Sequence, residues 1–224
     1  MELNYSYSAQ TDFDLAFRYY VTKNYYDSLQ ILKNIKNPKN PFEYYNLKAH
    51  NNFYLNELSF ALEDTKTCLQ IQPKSVQMTE LQFKIYLAMS DINNAQLILN
   101  NLSVLVNESN QNEKDENKFP NIAELKQMLE QKSSEISEKM EKAPLYSDYL
   151  YFIKCLYEKD TFINKMDVQF NSNSYRSVIS TEFISKNEVL LRIPLKALIS
   201  LEMAMVSPFG SEITEDVRRQ LNSP

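Results

Sequence analysis

His50 is the only histidine in the 224-residue chain, and Gly210 is the only glycine. Those two counts decide much of the chemistry open to it. A zinc site of Cys2His2 type, or a helical His-x-x-x-His pair, needs a second histidine. A Walker loop or a dinucleotide fingerprint needs several glycines, so that the backbone can approach phosphate closely. Both classes are excluded, and no metal site is expected. His50 follows Ala49 in a helix-like stretch. An isolated histidine has no partners for metal or triad chemistry, so it reads as a solvated or hydrogen-bonded helical side chain. Cys68 and Cys155 lie far apart in helix-like contexts. Two buried thiols of an intracellular protein are expected there, rather than a disulfide.

The net charge of −5 argues against unaided binding to nucleic acid, which needs clustered Lys and Arg for its phosphates. The opening MELNYSYSAQTDFD lacks the basic head and apolar run of a signal peptide. No stretch approaches the length of apolar sequence that spans a bilayer. An intracellular protein, cytoplasmic or nuclear, without membrane association is expected. A hydrophobic share of 43% is enough for a real core, and one glycine in the chain fits a helix-rich fold with few tight turns.

Those residues need a scaffold, and the scaffold repeats. NYYDSLQILKNI (Asn24 to Ile35), ELSFALEDTKTCLQIQP (Glu57 to Pro73) and DINNAQLILNNLSVL (Asp91 to Leu105) align without gaps. Each opens polar, then apolar, then reaches a small residue three positions on: Ser28, Ala61 and Ala95, separated by 33 and 34 positions. Each reads as the second helix of a hairpin, with apolar residues at i, i+3, i+4 and i+7. First helices are expected at roughly Thr11 to Thr22, Pro41 to Leu55 and Val76 to Met89, where Ala16, Ala49 and Phe83 hold equivalent places, as do Tyr19, Asn52 and Tyr86. Pro73 stops the second repeat.

The period and the second copy, SFALEDTKTCLQIQPKS, resemble the tetratricopeptide repeat. The first copy departs from it with Ser28 for the usual alanine, and the third with Phe83 where a small residue is usual. The resemblance implies a stack of hairpins whose concave face, lined by the first helices, binds a peptide or partner protein. Asn46, Asn52 and Lys84 are the candidate partner-binding residues, since peptide-clamping members of that family grip a terminal carboxylate with Lys, Asn and Arg. The alternatives are a solvated helix face for these three residues and a non-repeating helical bundle for the segment as a whole.

Residues 1–106 are thus read as the repeat array. NESNQNEKDENK, Asn107 to Lys118, has no apolar period, and residues 107–119 are read as a linker. Pro120 to Lys142 carries an apolar stripe of Ile122, Leu125, Met128, Leu129, Ile136 and Met140, so residues 120–143 are expected to form a helix that caps the array or bridges to the C-terminal segment. A short coiled coil is the alternative.

Character changes in residues 145–224. Tyr146 to Lys159 reads as an amphipathic helix. MDVQFN, YRSVIS and EVLLRIP read as short strands, with a turn at Lys186 to Glu188 in which Asn187 is able to take the left-handed conformation. Helix is expected again at Leu198 to Met205 and Glu212 to Leu221. The run YRSVISTEFISKNEVLLRIPLKALISLEMAMVSPFG resembles the start of the SET domain in the Rubisco-large-subunit-methyltransferase-like family. Matching residues include Arg176, Val178, Thr181, Ile184, Lys186, Glu188, Val189, Leu190, Leu191, Pro194, Leu198, Ile199, Glu202, Ala204, Ser207 and Gly210.

That family transfers a methyl group from S-adenosylmethionine to a protein lysine or, in some members, a histidine. The resemblance implies that Ser174, Tyr175, Arg176 and Ser177 lie against the cofactor, although Tyr175 and Ser177 stand where the family has glycines. The family's Asn-His segment and late catalytic tyrosine would come downstream, and no Asn-His pair occurs in this sequence. The expected fold is therefore mainly α, a tetratricopeptide-like hairpin array followed by a small, incomplete α+β SET-like segment. The expected function is a protein-binding module, inactive alone, with no catalytic residues assigned. The alternatives are a protein-lysine methyltransferase whose catalytic part is missing from the chain, and a non-enzymatic scaffold unrelated to SET proteins.

Overall fold

The structure, a computed structural model, describes residues 2–110, 119–143, 145–170 and 176–198. Six helices come first: α1 (Glu2–Val21), α2 (Tyr25–Asn34), α3 (Pro41–Tyr54), α4 (Leu58–Ile71), α5 (Val76–Ala88) and α6 (Ile92–Asn110). They pack as consecutive hairpins, α1 on α2, α3 on α4 and α5 on α6. The hairpins stack through α2 on α3 and α4 on α5, while α1 meets α3 and α3 meets α5. The fold is mainly helical, as the periodicity predicts.

The small residues are what let the helices close on one another. Ala16, Ser28, Ala49, Ala61 and Ala95 are all completely buried. The buried Ser28 hydroxyl would be costly without a partner, and it receives a 2.8 Å hydrogen bond from Asn51 Nδ2. In the third hairpin the equivalent of Ala16 and Ala49 is Phe83, also completely buried, and its ring joins Ala95, Leu99, Leu102, Leu125 and Leu129 in one cluster. Leu125 and Leu129 belong to α7 (Ile122–Lys142), which packs on α6 and so encloses the bulk that a two-helix crossing alone would not hold.

Each hairpin turns through a residue with positive φ: Lys23 at 62°, Asn56 at 59° and Ser90 at 58°. The hydrogen bonds are the same each time. Lys23 N–H donates to Tyr20 O and Asn24 N–H to Tyr19 O, and the pairs recur as Asn56 to Phe53 with Glu57 to Asn52, and as Ser90 to Leu87 with Asp91 to Tyr86. This paired pattern satisfies the last carbonyls of each first helix. The equivalence of Tyr19, Asn52 and Tyr86 is therefore one of backbone role.

The starts of α3, α5 and α7 are capped by side chains. Asn40 accepts from Glu43 N–H ahead of Pro41, and Ser75 accepts from Met78 N–H. Asn121 accepts from both Ala123 and Glu124 N–H at the head of α7. Cys68 and Cys155 are free thiols, Cys68 buried and Cys155 partly so. Burial pushes the Cys68 thiol up to about 12, which leaves it inert.

Two boundaries differ from the sequence reading. The expected linker begins too early, because α6 continues to Asn110. Leu105 and Val106 continue its buried stripe, and Glu108 beyond them pairs with Lys74 at 2.9 Å. The helix expected at Tyr146 to Lys159 is α8 (Tyr146–Tyr157), closed by Asp160 at φ 61°.

After α8 come β1 (Phe162–Ile163), β2 (Met166–Phe170), β3 (Arg176–Ser180), β4 (Leu191–Arg192) and a 3₁₀ turn at Leu195–Ala197. β2 and β3 pair antiparallel with Val168 opposite Val178, and β1 pairs antiparallel with β4. EVLLRIP thus contributes a two-residue strand only, and the equally short β1 carries too little pattern to be read in advance. Asn187 takes the left-handed conformation at φ 66°. The helices expected at Leu198 to Met205 and Glu212 to Leu221 lie outside the described residues except for Leu198, which is extended.

Two-stranded ladders are marginal alone, and these lean on the helices. Phe170 contacts Tyr146 and Tyr149 with centroids 5.7 and 5.8 Å away. Tyr157 enters the core cluster formed by Ala49, Leu58, Ala61 and Ile85. Asn56 Nδ2, in the second hairpin's turn, donates to Ile163 O at 2.7 Å.

Candidate binding groove

α1, α3 and α5 lie side by side and present one face each to a groove of about 630 Å³. Helical spacing selects the side chains that line it: Phe13, Phe17 and Tyr20 on α1, Glu43, Asn46, His50 and Tyr54 on α3, and Gln77, Glu80, Leu81 and Lys84 on α5. Every lining residue comes from a first helix of a hairpin.

Aromatic rings from α1 and α3 are part of the lining. Tyr25 and Tyr54 stack with ring centroids 4.5 Å apart. Tyr20 packs at 5.8 Å from Tyr25, 6.3 Å from Tyr54 and 6.3 Å from Phe17. Burial of the Tyr20 ring raises its phenol above the ordinary value, with Tyr54 adding to the effect. Phe17 and Tyr54 nonetheless keep half of their surface in contact with solvent, 50% and 52%. Rings in that situation are available to a ligand.

His50 stands between the aromatic and charged parts of the groove. Its Nδ1 lies 3.0 Å from Asn46 O, one helical turn earlier. A carbonyl only accepts, so Nδ1 carries the proton and Nε2 is the acceptor nitrogen. Tyr20 meets the imidazole edge-on at 6.1 Å. Burial lowers the His50 pKa below 6.5, and the neighbouring Lys84 ammonium lowers it further, against the Asn46 carbonyl and Glu80, which act the other way. The ring is neutral at pH 7.

The sequence-derived partner residues separate. Asn46 and Lys84 both line the groove, and Lys84 Nζ is paired with Glu80 one turn before it on α5. Asn52 is not with them. It is buried between α3 and α4, where Nδ2 donates to Asp64 Oδ2 at 2.8 Å and Asp64 in turn pairs with Lys48 at 2.9 Å. Six residues along a helix turn the side chain by roughly 240° from Asn46, so the two asparagines cannot share a face. Asn52 serves to satisfy the buried Asp64, whose carboxyl is pushed up by burial and pulled back by Lys48 and Asn52.

Of the residues expected against a cofactor, Ser174 and Tyr175 lie outside the described residues. Arg176 opens β3, is exposed, and lays its guanidinium over the Phe170 ring at 5.5 Å; Ser177 sits opposite Gln169. Among the described residues no group of three His, Cys, Asp or Glu side chains is arranged to hold a metal ion, and no helix is long and apolar enough to cross a membrane.

The sequence reading missed Phe17, Tyr20, Tyr54, Glu43 and Glu80 as groove residues. The signal was present, since Asn46, His50 and Tyr54 succeed one another at steps of four and must share a face. Comparison with protein-family models, with curated proteins and with solved structures found no match.

Proposed function

We propose that this chain is a protein-binding module: a tetratricopeptide-like hairpin array whose first-helix groove docks a peptide segment of a partner, joined to part of a SET-like domain and inactive alone. The observation that carries this is the groove itself. Three helices from three hairpins, 33 and 34 positions apart in the repeat, contribute all of its lining, and the half-exposed rings of Phe17 and Tyr54 are part of it. Exposed aromatics concentrated in a concavity are what recognition surfaces are made of.

The SET-like part of the reading rests on the resemblance of residues 176–210, and two features favour it. An antiparallel ribbon comes after α8, and Asn187 takes φ 66° at the position where the family's sequence has glycine. No methyl-transfer step is assigned to this chain, because the residues that would align a donor sulfur with an amine are not among those described.

The test is retention on an array of random decapeptides. Wild-type protein should be retained by a subset of sequences. Replacing both half-exposed rings, Phe17→Ala with Tyr54→Ala, should weaken that binding by about tenfold or more, the scale of losing one aromatic anchor. Retention of the same peptides at unchanged strength would remove the groove from consideration.

A further inference from the structure

The charge of the groove says which peptides it takes. Its lining holds the carboxylates Asp14, Glu43 and Glu80 and one ammonium, Lys84. That ammonium is already held by Glu80. The imidazole of His50, with Nδ1 committed to Asn46 O, offers an acceptor nitrogen and no second donor. Three carboxylates against one ammonium leave the lining with a formal charge of −2, whichever of them are paired within the protein. Next to them stand the half-exposed rings of Phe17 and Tyr54. Carboxylates beside aromatic faces are the arrangement that attracts an ammonium or a guanidinium, through ion pairing and through the ring quadrupole. A terminal carboxylate would meet the opposite situation, a lining with more like charges than opposite ones, and juxtaposed like charges act against a partner.

Resting on the reading of this groove as a docking site, we propose that its occupant is a basic peptide segment, one that places Lys or Arg side chains against Asp14, Glu43 and Glu80 and apolar neighbours on Phe17 and Tyr54. This reverses the carboxylate-gripping role expected from Asn46 and Lys84. Lys84 works against the ligand in this account, and its pairing with Glu80 is a competitor that binding must displace.

The experiment is fluorescence anisotropy on the full chain with two amidated, fluorescein-labelled random decapeptide pools. One pool has Lys or Arg fixed at two central positions, and the other has Glu fixed there. The basic pool should bind at least about tenfold more tightly, with an advantage that shrinks as salt is raised. Glu43→Gln with Glu80→Gln should weaken the basic pool about tenfold. Lys84→Gln, which frees Glu80, should tighten it, and a change of that sign is not produced by a loosened fold. Circular dichroism checks that both variants remain helical. Equal or tighter binding of the acidic pool overturns the proposal while leaving the groove as a docking site, and so does a basic-pool affinity that neither substitution moves. If neither pool binds, the docking reading fails and this inference fails with it.

Discussion

His50 takes its properties from neighbours on three helices. The Asn46 carbonyl on its own helix fixes the tautomer, Tyr20 from α1 covers an edge of the ring, and Lys84 and Glu80 from α5 act on its charge with opposite signs. Burial is the largest influence and lowers its pKa below 6.5. The linkage has the sign this direction sets. Between the folded value and the unfolded value of about 6.5, the unfolded chain binds more protons, so stability rises with pH across that window and is flat above it. Because the chain has one histidine, the two imidazole C–H cross-peaks in a proton–carbon correlation spectrum should report one midpoint below 6.5, and a midpoint above that value would contradict the packing described. The sequence identified His50 as a solvated or hydrogen-bonded helical side chain, and its Asn46 contact agrees with the second of these. Its place in a groove was not legible, because that depends on α1 and α5 lying to either side. Asn52 shows the same limit from the other direction. Its type resembled a recognition residue, yet the buried carboxylate of Asp64 requires it.

At the level of elements, the helices were legible because the fully buried small positions Ser28, Ala61 and Ala95 recur at the hairpin crossings. The turns were not, since the fold makes its left-handed turn residues from Lys23, Asn56 and Ser90 where glycine would be the usual choice. A non-glycine residue in that conformation costs roughly 1–2 kcal/mol. Replacing it with glycine removes the strain but adds freedom to the unfolded chain, worth roughly 0.5–1 kcal/mol in the other direction. Ser90→Gly should therefore raise stability by about 0.5–1 kcal/mol in urea unfolding, and a clear loss would mean that the turn is held by the serine side chain. Asn56 is a different case. Asparagine tolerates the conformation better, and its amide also ties the turn to Ile163, so glycine there would give up a tertiary contact. The α6 extension escaped the sequence reading because its last turn is polar, and β1 because two residues make no pattern.

At the scale of the molecule, the segment after the array is fastened to the second and third hairpins. Tyr157 lies in the core cluster they share, Ser59 Oγ donates to Tyr157 O, Arg192 pairs with Glu57, and Lys154 pairs with Asp91 in the third hairpin's turn at 2.8 Å. Among the described residues none of this segment lines the groove on α1, α3 and α5. The array and its attachment therefore use different faces, so a partner docked as proposed would leave the β elements in place. Composition and spacing made the array legible as a whole, but the attachment depends on pairs such as Asn56 with Ile163, 107 positions apart, and no local pattern announces them. The central claim is that the first-helix face is the docking surface. Hydrogen–deuterium exchange, with and without a saturating decapeptide selected from a random pool, tests it most directly. The account predicts added protection within residues 13–20, 43–54 and 77–84, and none in residues 146–198; protection confined to 146–198, or to α2, α4 and α6, would contradict it.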